Sequence, residues 1–453
     1  MSSNNALASK EEAKSEFQAK LDSTLLSKPD KEYIEIGTKP ISGNNPLIYS
    51  IDKPVAPFSF ADPTTRKYNI EMPPPIYLKT KELKHQQHFA KAEILAGYIE
   101  SKDGGVECVD KKVYEKQKGI IMNLLAQAVK GVFAKDGFLR ISLPARIFEG
   151  RSTLDRILDG WRMAPTYLPK AANCVDHILR MKYVITFAIS GLYCMLTHLK
   201  PFNPLLGETL EGEFGDGTKI YCEHTSHHPA ITNFYMVNPK DLYKMYGRYH
   251  YKMEFSTNSF KMRQSGWHHI VFNDGNVVSF KLPFAKFSGM VAGTRIVYFT
   301  GEMKFIDKGN ALKAIVLFDS GKSGGMFGGR KKGCKRDHFE GILYRWDTMA
   351  DKQKPVKKLK DIKDIESPIC QITGSWLHNI KFGEEEYWNI DQGKPTEILY
   401  KERVLPSDWR FREDLLWLRK ENDVISDLWK KELEVQQRHD RALREKAQKA
   451  KEY

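Results

Sequence analysis

Cysteine is sparse in this chain: Cys108, Cys174, Cys194, Cys222, Cys334 and Cys370 are the only six in 453 residues, and no two form a CxxC pair. No apolar segment of the secretory kind follows Met1. A disulfide framework is therefore not expected, and reduced thiols in a cytosolic setting are. Long apolar runs are also missing. The best candidate, Tyr183 to Leu196, lies between Arg180 and Lys182 on one side and His198 and Lys200 on the other, and Thr186, Ser190 and Gly191 dilute it. A membrane span needs about 20 apolar residues, so this stretch reads as a buried helix of a soluble domain. Catalytic signatures are lacking as well. There is no HExxH and no GxSxG, and Gly321-Lys322-Ser323 is only the end of a phosphate-binding loop, because the first glycine of GxxxxGK[ST] would fall at Val316. No catalytic residue, cofactor or resident metal is expected.

What is present is apolar substance and positive charge. At 41% apolar residues the chain has material for a large core. Lys and Arg exceed Asp and Glu by 71 − 57 = 14, which favours anionic partners, either lipid headgroups or nucleic acid.

Texture divides the sequence. Residues 1–108 read as an extension of unknown role, partly extended, with Phe17, Leu21 and Leu25 on one helical stripe, prolines scattered up to Pro73-Pro74-Pro75, and helical character from Lys79 to Glu100. The apolar segment Ile120-Ile121-Met122-Asn123-Leu124-Leu125 then precedes Leu139-Arg140-Ile141-Ser142-Leu143-Pro144. From Glu208 to about Trp376 strands alternate with turn chemistry. Thr209 to Phe214 and Thr218 to Glu223 flank Gly215-Asp216-Gly217, while Ile270 to Phe272 and Val277 to Leu282 flank Asn273-Asp274-Gly275. Further strands are read at Tyr249 to Phe255, Arg295 to Phe299, Leu312 to Phe318 and Phe339 to Tyr344, and helix returns from Glu402 to Tyr453. Many strands with short connections imply a sandwich or a barrel, and a large barrel can enclose a ligand.

Two motifs lie close together: Lys200-Pro201-Phe202-Asn203-Pro204-Leu205-Leu206-Gly207-Glu208, and Glu223-His224-Thr225-Ser226-His227-His228-Pro229-Ala230. A third, Lys430, Glu434 and Arg438, falls on one helical stripe beside Ile425, Trp429 and Leu433. Together they resemble the signatures of the oxysterol-binding-protein-related lipid-transfer family, from about residue 109 to the end. The family's usual Glu-Gln-Val-Ser-His-His-Pro-Pro differs here at His224, Thr225 and Ala230. Its tryptophan-containing strand motif has no counterpart over Lys286 to Ile296.

The resemblance implies an α+β fold: a large incomplete antiparallel β-barrel enclosing a lipid tunnel, with an N-terminal lid and flanking helices. The corresponding segments are 109–200 for lid and helices, 201–380 for the barrel and 381–453 for a C-terminal helical part. It also implies that phosphatidylinositol 4-phosphate occupies the tunnel, its headgroup held by Lys200, Asn203, His227, His228, Lys430 and Arg438, with Glu434 orienting its basic neighbours. A sterol or phosphatidylserine would compete for the same tunnel, and Ile120, Ile121, Leu124 and Leu125 would form the lid. The protein would be cytoplasmic, peripherally and reversibly membrane-associated, and would not bind nucleic acid.

The chemistry of the residues suits that role. A phosphomonoester carries about −1.5 to −2 charge near neutral pH and needs several donors on rigid backbone. Histidine, with an ordinary pKa near 6.5, becomes cationic beside such a dianion, so headgroup binding should tighten at mildly acidic pH.

Bland readings stand beside each of these. Ile120 to Leu125 also reads as an ordinary helix. The 430/434/438 stripe also reads as solvent salt bridges. The Gly-rich segment around Met326, Phe327, Arg330, Lys331 and Lys332 is either an anionic-membrane contact or a solvated hairpin tip. Cys222, Glu223, His224, His227 and His228 could in principle ligate zinc, as in a zinc-dependent hydrolase, but adjacent histidines on an extended strand are expected to point apart. A lipid-sensing regulator with the same pocket is the nearest alternative to a transfer protein.

Overall fold

Turn chemistry places hairpins where the sequence expects them. Gly217 and Gly275 both adopt positive φ, at 85° and 82°, which only glycine enters without strain. At the first turn the Thr218 amide also donates to Asp216 Oδ1 at 2.9 Å. The structure is a computed structural model, which describes residues 49–50, 87–88, 90–117, 119–121, 123, 143–320, 333–345 and 368–451. It comprises two compact units, Thr80–Glu402 with Ser407–Trp409, and Met1–Lys79 with Arg403–Pro406 and Arg410–Tyr453.

The first unit is a β-barrel with helices. Strands β2 (Tyr98–Glu100) and β3 (Val106–Cys108) form a short hairpin. Strands β4 (Phe148–Ser152) and β5 (Lys200–Phe202) pair in parallel as a separate two-stranded sheet. A meander follows: β6 (Thr209–Phe214), β7 (Lys219–His227), β8 (Ala230–Val237) and β9 (Tyr243–Ser256). Next come β10 (Ser259–Gln264), β11 (His268–Phe272), β12 (Val277–Phe280), β13 (Phe284–Ser288) and β14 (Ile296–Asp307). The remaining strands are β15 (Leu312–Phe318), β16 (His338–Arg345), β17 (Pro368–Ser375), β18 (Asn379–Phe382), β19 (Glu385–Asn389) and β20 (Ile398–Tyr400).

Closure depends on two long strands. The first half of β9 pairs with β11 and its second half with β10, whereas β14 pairs with β13 through Ile296–Thr300 and with β12 through Phe305–Asp307. The β10–β13 and β11–β12 pairs complete the ring. From this ring the sheet extends through β8, β7, β6 and β20 on one side and through β15 to β19 on the other. Among the described residues β19 and β20 do not pair with each other, so the barrel closes through this ring rather than through the ends of the long sheet, a correction to the expected incomplete barrel.

Helices fill and cover this sheet. These are α1 (Lys91–Ile94), α2 (Lys111–Gln117), α3 (Thr153–Trp161), α4 (Ala164–Ala172) and α5 (His177–Ser190). Ser152 caps α3 by accepting from the Leu154 amide at 3.3 Å, and Asp176 caps α5 by accepting from Ile178 at 2.8 Å. On the inner side of α3, Trp161 lies within 6.3 Å, centroid to centroid, of Phe187, Phe234, Tyr249, His268 and Phe280. Burial of such a large aromatic removes enough apolar surface to stabilise the fold by about 1.5–3 kcal/mol. The stretch His177–Met195 is long and apolar enough to cross a membrane, but most of it is buried inside the protein, which is the property of a core helix.

Three readings of the sequence need correction. Lys79 to Glu100 is helical only over Lys91–Ile94 among its described residues; Gly97, at φ 82°, turns the chain into β2. The sheet therefore starts before residue 109. It also runs past residue 380, through β19 and β20, because strands of three to five residues carry too few alternations to be recognised.

In the other unit β1 (Tyr49–Ser50) pairs with β21 (Arg403–Val404), and helices α6 (Glu413–Arg419) and α7 (Asp423–Lys451) pack together. Ser426 Oγ, on α7, donates to the Asp414 carbonyl at 2.6 Å.

Candidate functional site

The segment Lys200–Glu208 is held from both ends. At its start, the Phe148 and Phe202 rings stack at 4.7 Å across the parallel β4–β5 pair, and the Lys200 ammonium lies 4.8 Å from the Phe148 centroid. The same ammonium donates to the Pro201 carbonyl at 3.2 Å and to Asn203 Oδ1. Pro201 and Pro204 fix φ on either side of Asn203, so the lysine–asparagine pair sits on a stiff turn. At its end, Glu208 is fully buried; one carboxylate oxygen accepts from Ser152 Oγ and the other from the Leu205 amide at 2.9 Å.

The histidine strand is bonded directly to this turn. Gly207 N–H donates to the His224 carbonyl at 2.9 Å, His224 N–H donates to the Glu208 carbonyl at 3.0 Å, and the ladder then continues with Thr209 opposite Glu223. The two motifs thus form one piece of backbone. Strand β7 bulges between His224 and Ser226. It ends at His227, so His228 already belongs to the turn formed with Pro229, whose peptide bond is cis.

That bulge and turn overturn one expectation: the adjacent rings do not point apart. The His227 and His228 centroids are 4.8 Å apart with the rings inclined by 64°. Behind them, His224 is buried, with Nδ1 2.9 Å from Thr232 Oγ1 and Nε2 3.2 Å from His227 Nδ1. Each of these hydrogen bonds has one proton, so the chain has two states. If Thr232 donates to His224 and His224 donates to His227, then His227 Nε2 carries a hydrogen; the reverse polarity makes that atom an acceptor. Burial decreases outward: His224 and Glu208 are buried, Lys200 and His227 half-buried, and Asn203 and His228 exposed.

Sequence reasoning named Lys200, Asn203, His227 and His228. It did not assign the tie through Glu208 or the positioning role of His224. The available signal for His224 was alternation along β7, which places it inward with Ile220 and Cys222. Burial pushes the Cys222 thiol well above its ordinary range, leaving it protonated. Among the described residues no group of three or more His, Cys, Asp and Glu side chains is placed to hold a metal ion.

On α7, Lys430 is buried and ion-paired with Glu434, one turn further on. Arg438, a turn beyond, is exposed, and the neighbouring stripe of Ile425, Trp429 and Leu433 is buried as the sequence implied. These residues belong to the second compact unit. In the segment expected to form a lid, Ile121 is buried against Met290, with Phe255, Phe260 and Phe287 packed around them. Leu124, Leu125, Met326, Phe327, Arg330, Lys331 and Lys332 lie outside the described residues.

The comparisons agree with this construction. The oxysterol-binding protein family model matches residues 124–453. Oxysterol-binding protein 9 of Dictyostelium discoideum is 32% identical over 341 residues, which cover 74% of this chain and 78% of that protein. Mouse oxysterol-binding protein-related protein 8 is 30% identical over 223 residues, 48% of this chain and 24% of the longer relative. Among solved structures, the Osh3 ORD in complex with PI(4)P from Saccharomyces cerevisiae gives a TM-score of 0.54 at 23% identity, covering 71% of this chain and 84% of that one. The Osh1 ORD domain in complex with ergosterol gives 0.53 at 21% identity, covering 72% and 80%. At those identities the solved structures establish the fold, while the family match spans well over half of the sequence. The chain belongs to the oxysterol-binding protein family.

Proposed function

We propose that this protein takes single lipids out of membranes into its barrel and that phosphatidylinositol 4-phosphate is one of them. The observation that carries the reading is the backbone tie between the two motifs, Gly207 to His224 and His224 to Glu208. It fixes Lys200 and Asn203 relative to His227 and His228, as a phosphate clamp requires. An anion favours His227 with Nε2–H outward: as the neutral ring, with Thr232 donating to His224 and His224 to His227, or as the imidazolium, with His227 Nδ1–H donating to His224 Nε2. The second lipid, a sterol or phosphatidylserine, competes for the same interior, and exclusive occupancy lets one lipid's gradient drive the other's movement. Ile120 to Leu125 closes over the acyl chains. No bond-making residue takes part, and the protein works from the cytosol at membrane surfaces.

The direct test is extraction of labelled phosphatidylinositol 4-phosphate from liposomes. Uptake should approach one lipid per protein and strengthen between pH 7.5 and about 6, where a dianion draws protons onto nearby imidazoles. Uptake that is absent, or flat over that range, contradicts the histidine clamp.

The basic segment is assigned to anionic membrane, with Met326 and Phe327 inserting shallowly. Neutralising Arg330, Lys331, Lys332 and Lys335 should weaken liposome binding at low salt. Unchanged binding removes this contact from the account.

A further inference from the structure

Buried and half-buried arginines in the barrel unit mostly meet carboxylates or main-chain carbonyls. Arg151 reaches Asp155 and Asp159, Arg156 reaches Glu149 and Asp159, and Arg180 reaches Asp274. Arg162 donates to the carbonyls of Thr396 and His88, at 2.7 and 2.8 Å. Arg295 is different. It is only 8% exposed, yet no carboxylate among the described residues pairs with it. Its side chain donates to Gln117 Oε1 at 2.7 Å and stacks 4.2 Å over the Tyr114 ring. Its charge is met by one neutral amide and one aromatic face rather than by an anion.

A second group beside it has unsatisfied ring nitrogens. Both ring nitrogens of His198 are buried with no hydrogen-bond partner. The Gln117 amide that accepts from Arg295 donates to the His198 carbonyl at 2.5 Å, linking all three residues. Burial, with the Arg295 charge, holds the imidazole down at about 4, so it is neutral and offers one donor and one acceptor.

The surroundings point to a lipid. The His198 ring meets Phe287 edge-on at 6.3 Å, and Phe287 belongs to the apolar cluster that Ile121 and Met290 form. His198 also precedes Lys200 by two residues, a chain distance of at most about 7 Å. A cation, a neutral donor and an apolar wall therefore lie between the lid segment and the headgroup motif.

We propose that Arg295 and His198, with Gln117 positioning the guanidinium, form a subsite for the phosphodiester that joins glycerol to the headgroup of a glycerophospholipid. This inference rests on the lipid-uptake reading and deepens it. The subsite recognises a group that phosphatidylinositol 4-phosphate and phosphatidylserine share and that sterols lack. It is separate in chemistry from the histidine motif, which reads a phosphomonoester.

The test compares the full chain with Arg295→Met in extraction of three probes from phosphatidylcholine vesicles: phosphatidylinositol 4-phosphate, phosphatidylserine and cholesterol. Loss of a hydrogen-bonded charge pair should lower uptake of every phosphodiester lipid that the intact chain extracts by about tenfold or more. Cholesterol uptake, where the intact chain shows it, should change less than about twofold. A parallel His227→Ala/His228→Ala variant should lose phosphatidylinositol 4-phosphate and keep phosphatidylserine, which separates failure of this subsite from failure of the headgroup reading. Equal losses for all three lipids, or unchanged uptake, would overturn the proposal.

Two further arms keep the test decisive. If Arg295→Met does not fold, Arg295→Lys, which keeps the charge without the planar fork, should show the same ratio in weaker form; no selectivity there overturns the proposal. If the intact chain extracts no lipid, calorimetry with soluble glycerophosphoinositol and with inorganic phosphate decides. Arg295-dependent binding of the diester supports the subsite, whereas binding of inorganic phosphate alone, or of neither, overturns it.

Discussion

Replacing His227 and His228 together by alanine should reduce uptake of phosphatidylinositol 4-phosphate by about a hundredfold, because each imidazolium–phosphate hydrogen bond contributes about 1.5–3 kcal/mol. The fold should survive this change. His228 is exposed and His227 half-buried, so little apolar surface is lost. Among the internal bonds removed is that to His224 Nε2, whose loss costs about 1 kcal/mol. Circular dichroism and a thermal melt should show a folded protein with a melting point within a few degrees of the parent. Uptake within threefold of the parent would remove the histidines from the headgroup site.

The second large effect is expected at Glu208, through stability. Its carboxylate accepts from Ser152 Oγ and from the Leu205 amide inside the protein, while its backbone carbonyl accepts from His224. Glu208→Ala leaves a buried hydroxyl and a buried amide without acceptors, at a cost of about 2–4 kcal/mol. The melting temperature should fall by several degrees, with Glu208→Gln intermediate because it retains one acceptor. Lipid uptake should fall as well, since the Lys200–Asn203 turn loses its fixed end. A melting temperature unchanged in Glu208→Ala would show that this carboxylate does not hold the motif together.

Much of this architecture was legible in the sequence, for identifiable reasons. Alternation plus Gly-Asp-Gly or Asn-Asp-Gly identifies a hairpin locally, and the β6–β7 and β11–β12 pairs appear where those signals stand. The stripe of Ile425, Trp429 and Leu433 likewise needs nothing beyond helical geometry. Strands β2, β3 and β18 to β20 were not legible, because their pairing is decided by distant partners: β3 pairs with β14, and β20 with β6. The same holds in the site. Sequence identifies His227 and His228 as a pair, but only the bulge at His224 and the turn at His228 bring their rings within 4.8 Å. Arg295 could not be singled out from sequence either, since its distinction is that no carboxylate among the described residues pairs with it in space.

The claim that these motifs read a phosphomonoester is tested most directly by extraction of labelled phosphatidylinositol 4-phosphate beside phosphatidylinositol, which differs only by that phosphate, from otherwise identical liposomes. The account predicts near one-to-one uptake of the phosphorylated lipid and uptake of the other lower by about a hundredfold. Equal uptake of the two would contradict it and leave the Lys200 and His227–His228 motifs without the ligand assigned to them.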